Sequence, residues 1–181
     1  SRRDYATIKY DRNGNMLWAA AYDGPGNYHD SARAIALDAA GNVYVTGYCY
    51  SDNVTYEDYA TVKYDAAGNQ LWVARYIGPA RSPYSAYDRA EAIAVDASGH
   101  VYVTGYSDGG STGYDYLTIE YDAQGNEQWA ARHNGTANNR DYAQAIAVNA
   151  LGHVYVTGYS QNLGTGQDYT TVKYDGSGRQ L

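Results

Sequence analysis

The chain has 181 residues, with 23 Tyr, 20 Gly and no Phe, and its formal net charge is −7. This acidic balance argues against a nucleic-acid partner, because binding to a phosphate backbone depends on Lys and Arg neutralising phosphates. No apolar run approaches the ~18 residues of a membrane span, so no membrane insertion is predicted. Tyr and Trp favour strands and frequent Gly favours tight turns, so the composition predicts an all-β chain.

Two sequence frames alternate along the chain. The first, DYATIKYDRNGNMLW, has copies that begin at Asp4, Asp58, Asp115 and Asp168. The second, DSARAIALDAAGNVYVTGY, has copies that begin at Asp30, Asp88 and Asp141. Successive first frames begin 54, 57 and 53 residues apart, so one unit is repeated a little over three times.

Each unit predicts four short strands. AIAVD and VYVTGY are separated by a turn such as DASGH, and DYATVKYD and NQLWVARY are separated by DAAGN. An Asp that caps the turn and a Gly at its left-handed position are typical of loops that join antiparallel strands. Two hairpins per unit therefore predict a four-stranded antiparallel sheet.

Four strands in about 50 residues predict a β-propeller blade. With strands labelled A to D from the axis outward, the alanine-rich AIA segments fit the crowded innermost position, and the tryptophan segments fit the wide outer edge. The predicted units in chain order are strands C and D of one blade at residues 4–22, complete blades at 33–76 and 91–132, and an incomplete blade at 144–181.

Three blades' worth of strands is below the ~4 to 8 blades that close a ring. The sequence therefore predicts about three blades of a larger or oligomeric propeller. The missing blades are expected from a second copy of the chain or from the remainder of a longer polypeptide.

The frames DYATIKYDxxGNxLW and AIAVDxxGNVYVTGYS resemble the bacterial SBBP repeat, a seven-bladed β-propeller repeat. Departures are small: Glu120 stands where other copies have Lys63, and Asn149 replaces a turn Asp. The resemblance implies a propeller fold and an extracellular or cell-surface location in bacteria. It transfers no catalytic residue.

Length differences between repeats are confined to the D-to-A and B-to-C connections, which antiparallel alternation places on one face. We call this the variable face and the opposite one the constant face. Loops on a rigid frame commonly carry recognition residues, and these loops are rich in Tyr, Asn, Ser and Gly. The candidate ligand-binding residues are Tyr28, His29, Asp52, Tyr56, Tyr84, Tyr87, Asp108, Tyr114, Asn139 and Arg140.

The recurring aspartates have two interpretations. A ring of carboxylates is one way to hold calcium, whereas recurrence in every blade favours capping of local turns. The four histidines are scattered, and no metal site is predicted. Cys49 is interpreted as a small buried hydrophobe, and the VYVTGY tyrosines are interpreted as packing between blades.

Three function classes follow, in decreasing order of support. The loop asymmetry favours a non-catalytic module that binds a glycan or a protein through the variable face. A purely structural, self-associating module is the alternative. An enzyme is the least favoured class, because the sequence shows no catalytic motif, convergent acid–base set or cofactor signature.

Overall fold

A computed structural model describes residues 3–51, 56–79 and 87–181. Within these residues thirteen strands form four antiparallel sheets, which confirms the predicted all-β, propeller-like fold. None of the described residues forms a helix of the length and apolar character needed to cross a membrane.

The sheets are numbered in chain order. Sheet one contains β1 (Tyr5–Tyr10) and β2 (Met16–Tyr22). Sheet two contains β3 (Ser31–Leu37), β4 (Val43–Tyr50), β5 (Glu57–Tyr64) and β6 (Gln70–Tyr76). Sheet three contains β7 (Asp88–Val95), β8 (Val101–Asp108), β9 (Tyr114–Tyr121) and β10 (Glu127–His133). Sheet four contains β11 (Tyr142–Val148), β12 (Val154–Asn162) and β13 (Gly166–Tyr174).

The strands of each sheet pair in sequence order, as the repeat predicts. The alanine-rich strands β3, β7 and β11 contact one another across neighbouring sheets, whereas the tryptophan strands β6 and β10 form the opposite edges of their sheets. This arrangement places the alanine-rich strands innermost.

Tyrosines on strand C, which is β1, β5, β9 and β13 in the four sheets, hold neighbouring sheets together. Tyr5, Tyr59 and Tyr116 are at most 1% exposed. Their hydroxyls donate to the carbonyl oxygens of Ala60 (3.1 Å), Leu117 (3.3 Å) and Thr170 (3.3 Å), each on strand C of the following sheet. The same contact therefore recurs at all three junctions between sheets.

A tryptophan of each of the first three sheets packs on a glycine of the next sheet. The indole N–H groups of Trp18 and Trp72 donate to the carbonyl oxygens of Ala66 and Ala123, each at 3.1 Å. A Cβ added to Gly125 would lie 2.7 Å from Cδ2 of Trp72, and Gly68 and Gly178 are approached in the same way by Trp18 and Trp129. Glycine is thus required in these turns by space as well as by its positive φ.

The turns of the constant face share one hydrogen-bond pattern. Oδ1 of Asp65 accepts the backbone N–H groups of Ala67 and Asn69, each at 2.9 Å. The Asn69 side chain also donates to Oδ2 at 2.8 Å, and these bonds lower the pKa of Asp65. Asn149 accepts the equivalent two backbone bonds in sheet four, so the turn forms with either residue. The predicted capping role is observed here.

We expect these turns to make stability fall in acid. Because folding lowers the pKa of Asp65 and Asp122, their contribution is present above the unfolded pKa, about 4, and is lost as the pH falls through the folded value. The melting temperature of the variant Asp65→Asn/Asp122→Asn should therefore fall less between neutral and acidic pH than that of the original chain. Identical profiles of melting temperature against pH for the two proteins would contradict this.

Candidate functional site

The aspartates that open strand A join the two kinds of loop on the variable face. Asp88 accepts the backbone N–H of Gly78 at 2.7 Å and that of Asp108 at 3.2 Å, so it links the D-to-A connection to the end of strand B. Asp30 and Asp141 make the equivalent pairs of bonds. Asp88 is 2% exposed, and this burial raises its pKa. These carboxylates hold the frame of the variable face.

The aspartates that open strand C differ between sheets. Asp115 accepts a hydrogen bond from the Thr112 hydroxyl (2.8 Å) and forms an ion pair with Arg132 (3.3 Å). In sheet one, Ala21 stands at the position of Arg132.

Three carboxylates of the first repeat lie near one another. Asp4, Asp23 and Asp30 each place one carboxylate oxygen within 4.8 Å of the other two. Burial, followed by the charges of Asp23 and Asp4, raises the pKa of Asp30. Both oxygens of Asp30 already accept backbone hydrogen bonds, and three neighbouring carboxylates do not by themselves define a cation site.

Four of the predicted residues lie in one aromatic row on the variable face. The ring of Tyr28 lies 4.8 Å from the rings of both His29 and Tyr50. Tyr50 contacts Tyr56 at 5.3 Å, and Tyr56 contacts Tyr87 at 6.1 Å. Tyr50 was not among the predicted residues, although it connects the others.

Arg89 extends this row toward the innermost strands. Its guanidinium lies 5.5 Å from the ring centroid of Tyr87 and 4.7 Å from that of Tyr48. It also forms an ion pair with Glu57. The cation is thus held between two rings and one carboxylate, which fixes its position.

A second aromatic cluster lies between sheets three and four. The ring of Tyr106 lies 4.6 Å from that of Tyr142 and 5.3 Å from that of Tyr114, and Tyr142 lies 5.1 Å from Tyr159. The Arg140 guanidinium lies 5.8 Å from the Tyr114 ring centroid. The predicted residues Tyr114 and Arg140 therefore lie beside three tyrosines that were not predicted.

These three tyrosines line an open cleft of about 430 Å³. We call it the tyrosine cleft, and its lining residues are Glu91, Tyr106, Tyr142, Ala143, Gln144 and Tyr159. Burial raises the pKa of Tyr106 to about 12. The cleft combines ring surface with hydroxyl, carboxylate and amide groups.

The polar groups of the cleft are presented by β-bulges. Gln144 is the extra residue where β11 pairs with β12, and Glu91 is the extra residue where β7 pairs with β8. Arg33 occupies the same bulge in sheet two, and its Nε lies 3.5 Å from Oε2 of Glu91. A bulge redirects a side chain from the regular alternation of a strand. The side chains of Arg33, Glu91 and Gln144 therefore occupy the same structural position in three successive sheets.

The sequence contained a signal for this position. Among DSARAIAL, DRAEAIAV and DYAQAIAV, the residue before AIA is Arg, Glu or Gln, whereas its neighbours on both sides are alanines in all three. A chemically variable residue inside a constant strand indicates a position freed from packing.

The remaining predicted residues have different surroundings. Asp108 is 8% exposed, and its Oδ1 accepts the N–H of Gly110 at 2.8 Å, so it caps the B-to-C turn. Asn139 is exposed, and its Oδ1 accepts the Arg140 N–H at 2.9 Å. Asp52 and Tyr84 lie outside the described residues.

The VYVTGY tyrosines divide into two groups. Tyr44 and Tyr102 are buried between sheets, as predicted. Tyr106 and Tyr159, each four positions after the first tyrosine of its copy, are half-buried and line the tyrosine cleft instead. Cys49 is fully buried, and burial raises its pKa to about 11, in keeping with its interpretation as a small hydrophobe.

Comparison with known proteins supports the repeat and the fold. Residues 24–53 match the family model of the β-propeller repeat SBBP, which confirms the resemblance found in the sequence. The chain is similar to the regulatory protein FlaEY of Caulobacter vibrioides, with 36% identity over an alignment of 122 residues that covers 58% of this chain and 12% of that protein. The chain thus spans about an eighth of its curated relative's length.

Two solved structures are similar to this chain, and the first of them shows the same kind of fold. A protein of unknown function from Bacteroides caccae aligns with a TM-score of 0.54 and 14% identity, over 94% of this chain and 50% of that one. A fucose lectin from Kordia zhangzhouensis, solved with methyl-fucoside, aligns with a TM-score of 0.43 and 16% identity, over 83% of this chain and 96% of the lectin. The second likeness is too distant to carry an argument.

Proposed function

We propose that this segment of β-propeller repeats is a non-catalytic binding module, and that the tyrosine cleft on its variable face holds one sugar unit of a glycan. The observation that carries the proposal is the combination of three tyrosine rings with Glu91 and Gln144 around one open cleft. Its volume, about 430 Å³, lies within the ~300–1,000 Å³ that is usual for small-ligand sites.

The chemistry of the lining fits a sugar ring. A pyranose has a face of C–H groups that packs on an aromatic ring, and an edge of hydroxyls that both donate and accept hydrogen bonds. Tyr142 and Tyr159 offer ring surface, Gln144 offers a donor and an acceptor, and Glu91 offers an acceptor. The Arg33 guanidinium near Glu91 offsets part of its charge, which favours a neutral polar ligand over a cation.

The aromatic row from Tyr28 to Arg89 extends the proposed surface. It lies on the same face and approaches the cleft through Arg89, whose side chain contacts Tyr106. A glycan longer than one unit would extend along this row. The alternative ligand, a protein, would use the same aromatic residues as its anchors.

We also propose an extracellular or cell-surface location in bacteria, which the resemblance to the SBBP repeat supports. Detection of the parent protein by antibody on intact cells tests this location. Protection of the protein from added protease until the cells are lysed would oppose it.

Binding to a panel of immobilised glycans tests the proposed site. We expect Tyr142→Ala to weaken binding of the best glycan about 30-fold or more, because aromatic anchors contribute ~2 kcal/mol or more. Gln144→Ala should weaken it by about 3- to 10-fold, as one lost hydrogen bond is worth ~0.5–1.5 kcal/mol.

The matched control is Gln124→Ala. Gln124 is also an exposed glutamine, but it lies in a C-to-D turn of the constant face. Equal effects of Gln144→Ala and Gln124→Ala would remove the case for the tyrosine cleft. If the chain binds a protein on a parallel protein array and binds no glycan, the result would favour the alternative, in which the ligand is a protein.

A further inference from the structure

We infer that the sugar unit held by the tyrosine cleft is acidic, and that its carboxylate or sulfate group pairs with the Arg140 guanidinium at the rim of the cleft. The inference rests on the proposed function, because it names the class of glycan that the same site takes. The chemistry shared by the two kinds of ligand is a sugar ring that bears an anionic group.

Arg140 is held beside the cleft by two aromatic residues. Its guanidinium lies 5.8 Å from the ring centroid of Tyr114. It also lies near the hydroxyl of Tyr142, which lines the cleft: burial raises the pKa of Tyr142, and the Arg140 charge opposes this rise. Because an aromatic face attracts a guanidinium, these contacts favour a position of the cation at the rim of the cleft.

Arg140 differs from two other arginines near the cleft in its lack of a carboxylate partner. Arg33 pairs with Glu91, and Arg89 pairs with Glu57. By contrast, no carboxylate among the described residues lies within ion-pairing distance of the Arg140 guanidinium. The Arg140 side chain is exposed, so an anionic group of a ligand can reach it from solvent.

The position of Arg140 in the repeat differs chemically from copy to copy. The residue directly before the aspartate that opens strand A is His29, Tyr87 or Arg140 in the three copies. His29 and Tyr87 belong to the aromatic row, whereas Arg140 brings a positive charge to the tyrosine cleft. The same position thus supplies contact residues to both aromatic groups, and among these copies the charge is specific to this cleft.

Two guanidiniums offset the carboxylate that lines the cleft. Burial raises the pKa of Glu91, and the charges of Arg33 and Arg89 oppose this rise. Repulsion between Glu91 and an acidic ligand is thereby reduced. Because the chain as a whole carries a net charge of −7, a preference for an acidic glycan has to come from this cleft and not from general attraction.

The lining residues suggest how an acidic sugar is oriented. The ring packs on Tyr142 and Tyr159, and its hydroxyls pair with Gln144. The anionic group projects past Tyr142 to Arg140. A guanidinium can form two parallel hydrogen bonds with a carboxylate or a sulfate, so this contact selects for direction as well as for charge.

Calorimetric titration with matched oligosaccharides tests the inference. Oligomers of galacturonate, mannuronate and glucuronate are each compared with their methyl esters, which have the same rings and linkages but no charge. A sulfated galactan oligosaccharide is compared with its desulfated form, so the two arms distinguish a carboxylate from a sulfate. At low salt, at least one acidic probe should bind about 5- to 10-fold more tightly than its neutral counterpart, a value between those of an exposed ion pair and a buried charged hydrogen bond.

Arg140→Gln should remove this preference. The acidic probe should then bind as weakly as its neutral counterpart, whose own affinity should not change. The matched control is Arg12→Gln, which removes the same charge from an exposed arginine in a constant-face turn and should leave both affinities unchanged. Added salt should reduce the preference in the original chain, because it screens an exposed ion pair.

Different results would overturn the inference and the proposed function. Equal affinity for every acidic probe and its neutral counterpart, with binding still weakened by Tyr142→Ala, would overturn the inference alone. A preference that survives Arg140→Gln, or that Arg12→Gln removes equally, would also overturn it alone. If no glycan binds, or if Tyr142→Ala has no effect, both fall.

Poly-glutamate separates an acidic sugar from an acidic protein. It carries carboxylates but no sugar ring, so we expect it to bind much more weakly than the best acidic oligosaccharide. Binding of poly-glutamate that is equally tight and is lost in Arg140→Gln would overturn the inference, because the cleft would then recognise an acidic peptide.

Discussion

Gly125→Ala is expected to destabilise the chain by about 2–5 kcal/mol. Gly125 has a φ of +87°, where an alanine costs about 1–2 kcal/mol, and its Cβ would lie 2.7 Å from the Trp72 ring. Overpacking of this kind costs a further 1–3 kcal/mol or so. Chemical denaturation measures the total.

Gly14→Ala is the matched control for this effect. Gly14 occupies the same position of the same turn in sheet one, has a φ of +83°, and has nothing within 4 Å of an added Cβ. Its substitution should cost only the conformational part, about 1–2 kcal/mol. Equal losses at the two positions would mean that packing of the tryptophan on the glycine does not restrain neighbouring sheets.

Asp88→Ala is expected to cost about 2–5 kcal/mol and to loosen the variable face. The substitution leaves the backbone N–H groups of Gly78 and Asp108 without their acceptor in a buried position, and each such group costs about 1–3 kcal/mol. The raised pKa of Asp88 shows that burial of the charged group is itself unfavourable, so the loss should fall short of the maximum.

Asp122→Ala is the comparison for this prediction. Asp122 also accepts two backbone N–H groups, from Gln124 and Asn126, but it lies in an exposed constant-face turn where water can replace it. Hydrogen exchange of the loops should accelerate in Asp88→Ala and not in Asp122→Ala. A larger loss of stability in Asp122→Ala would show that the buried aspartates do not hold the loops.

The fold could be predicted because the repeat specifies it redundantly. Each of the segments AIA, VYVTGY and DYATVKY occurs in several copies at a nearly fixed spacing, so an error in one copy is corrected by the others. The turn chemistry of Asp65 and Gly68 is local, and it can be inferred from five consecutive residues.

The tyrosine cleft could not be predicted from the same repetition. Tyr102 and Tyr106 occur in the same copy of VYVTGY and point to the same side of β8, yet only Tyr106 is near enough to the variable face to border the cleft. The orientation of Gln144 depends on the register of β11 against β12, which a single strand does not reveal. Because VYVTGY recurs, we expected every one of its tyrosines to pack between sheets, and the half-buried ones that line the cleft could not be told from the others.

Hydrogen exchange with and without the best-bound glycan of the panel tests the binding proposal most directly. We expect slower exchange at the ends of β8, β11 and β12 that border the tyrosine cleft and in the loops beside Tyr114. The constant-face turns around Asp65, Asp96 and Asp122 should exchange at unchanged rates. Protection confined to the constant face would contradict a binding site on the variable face.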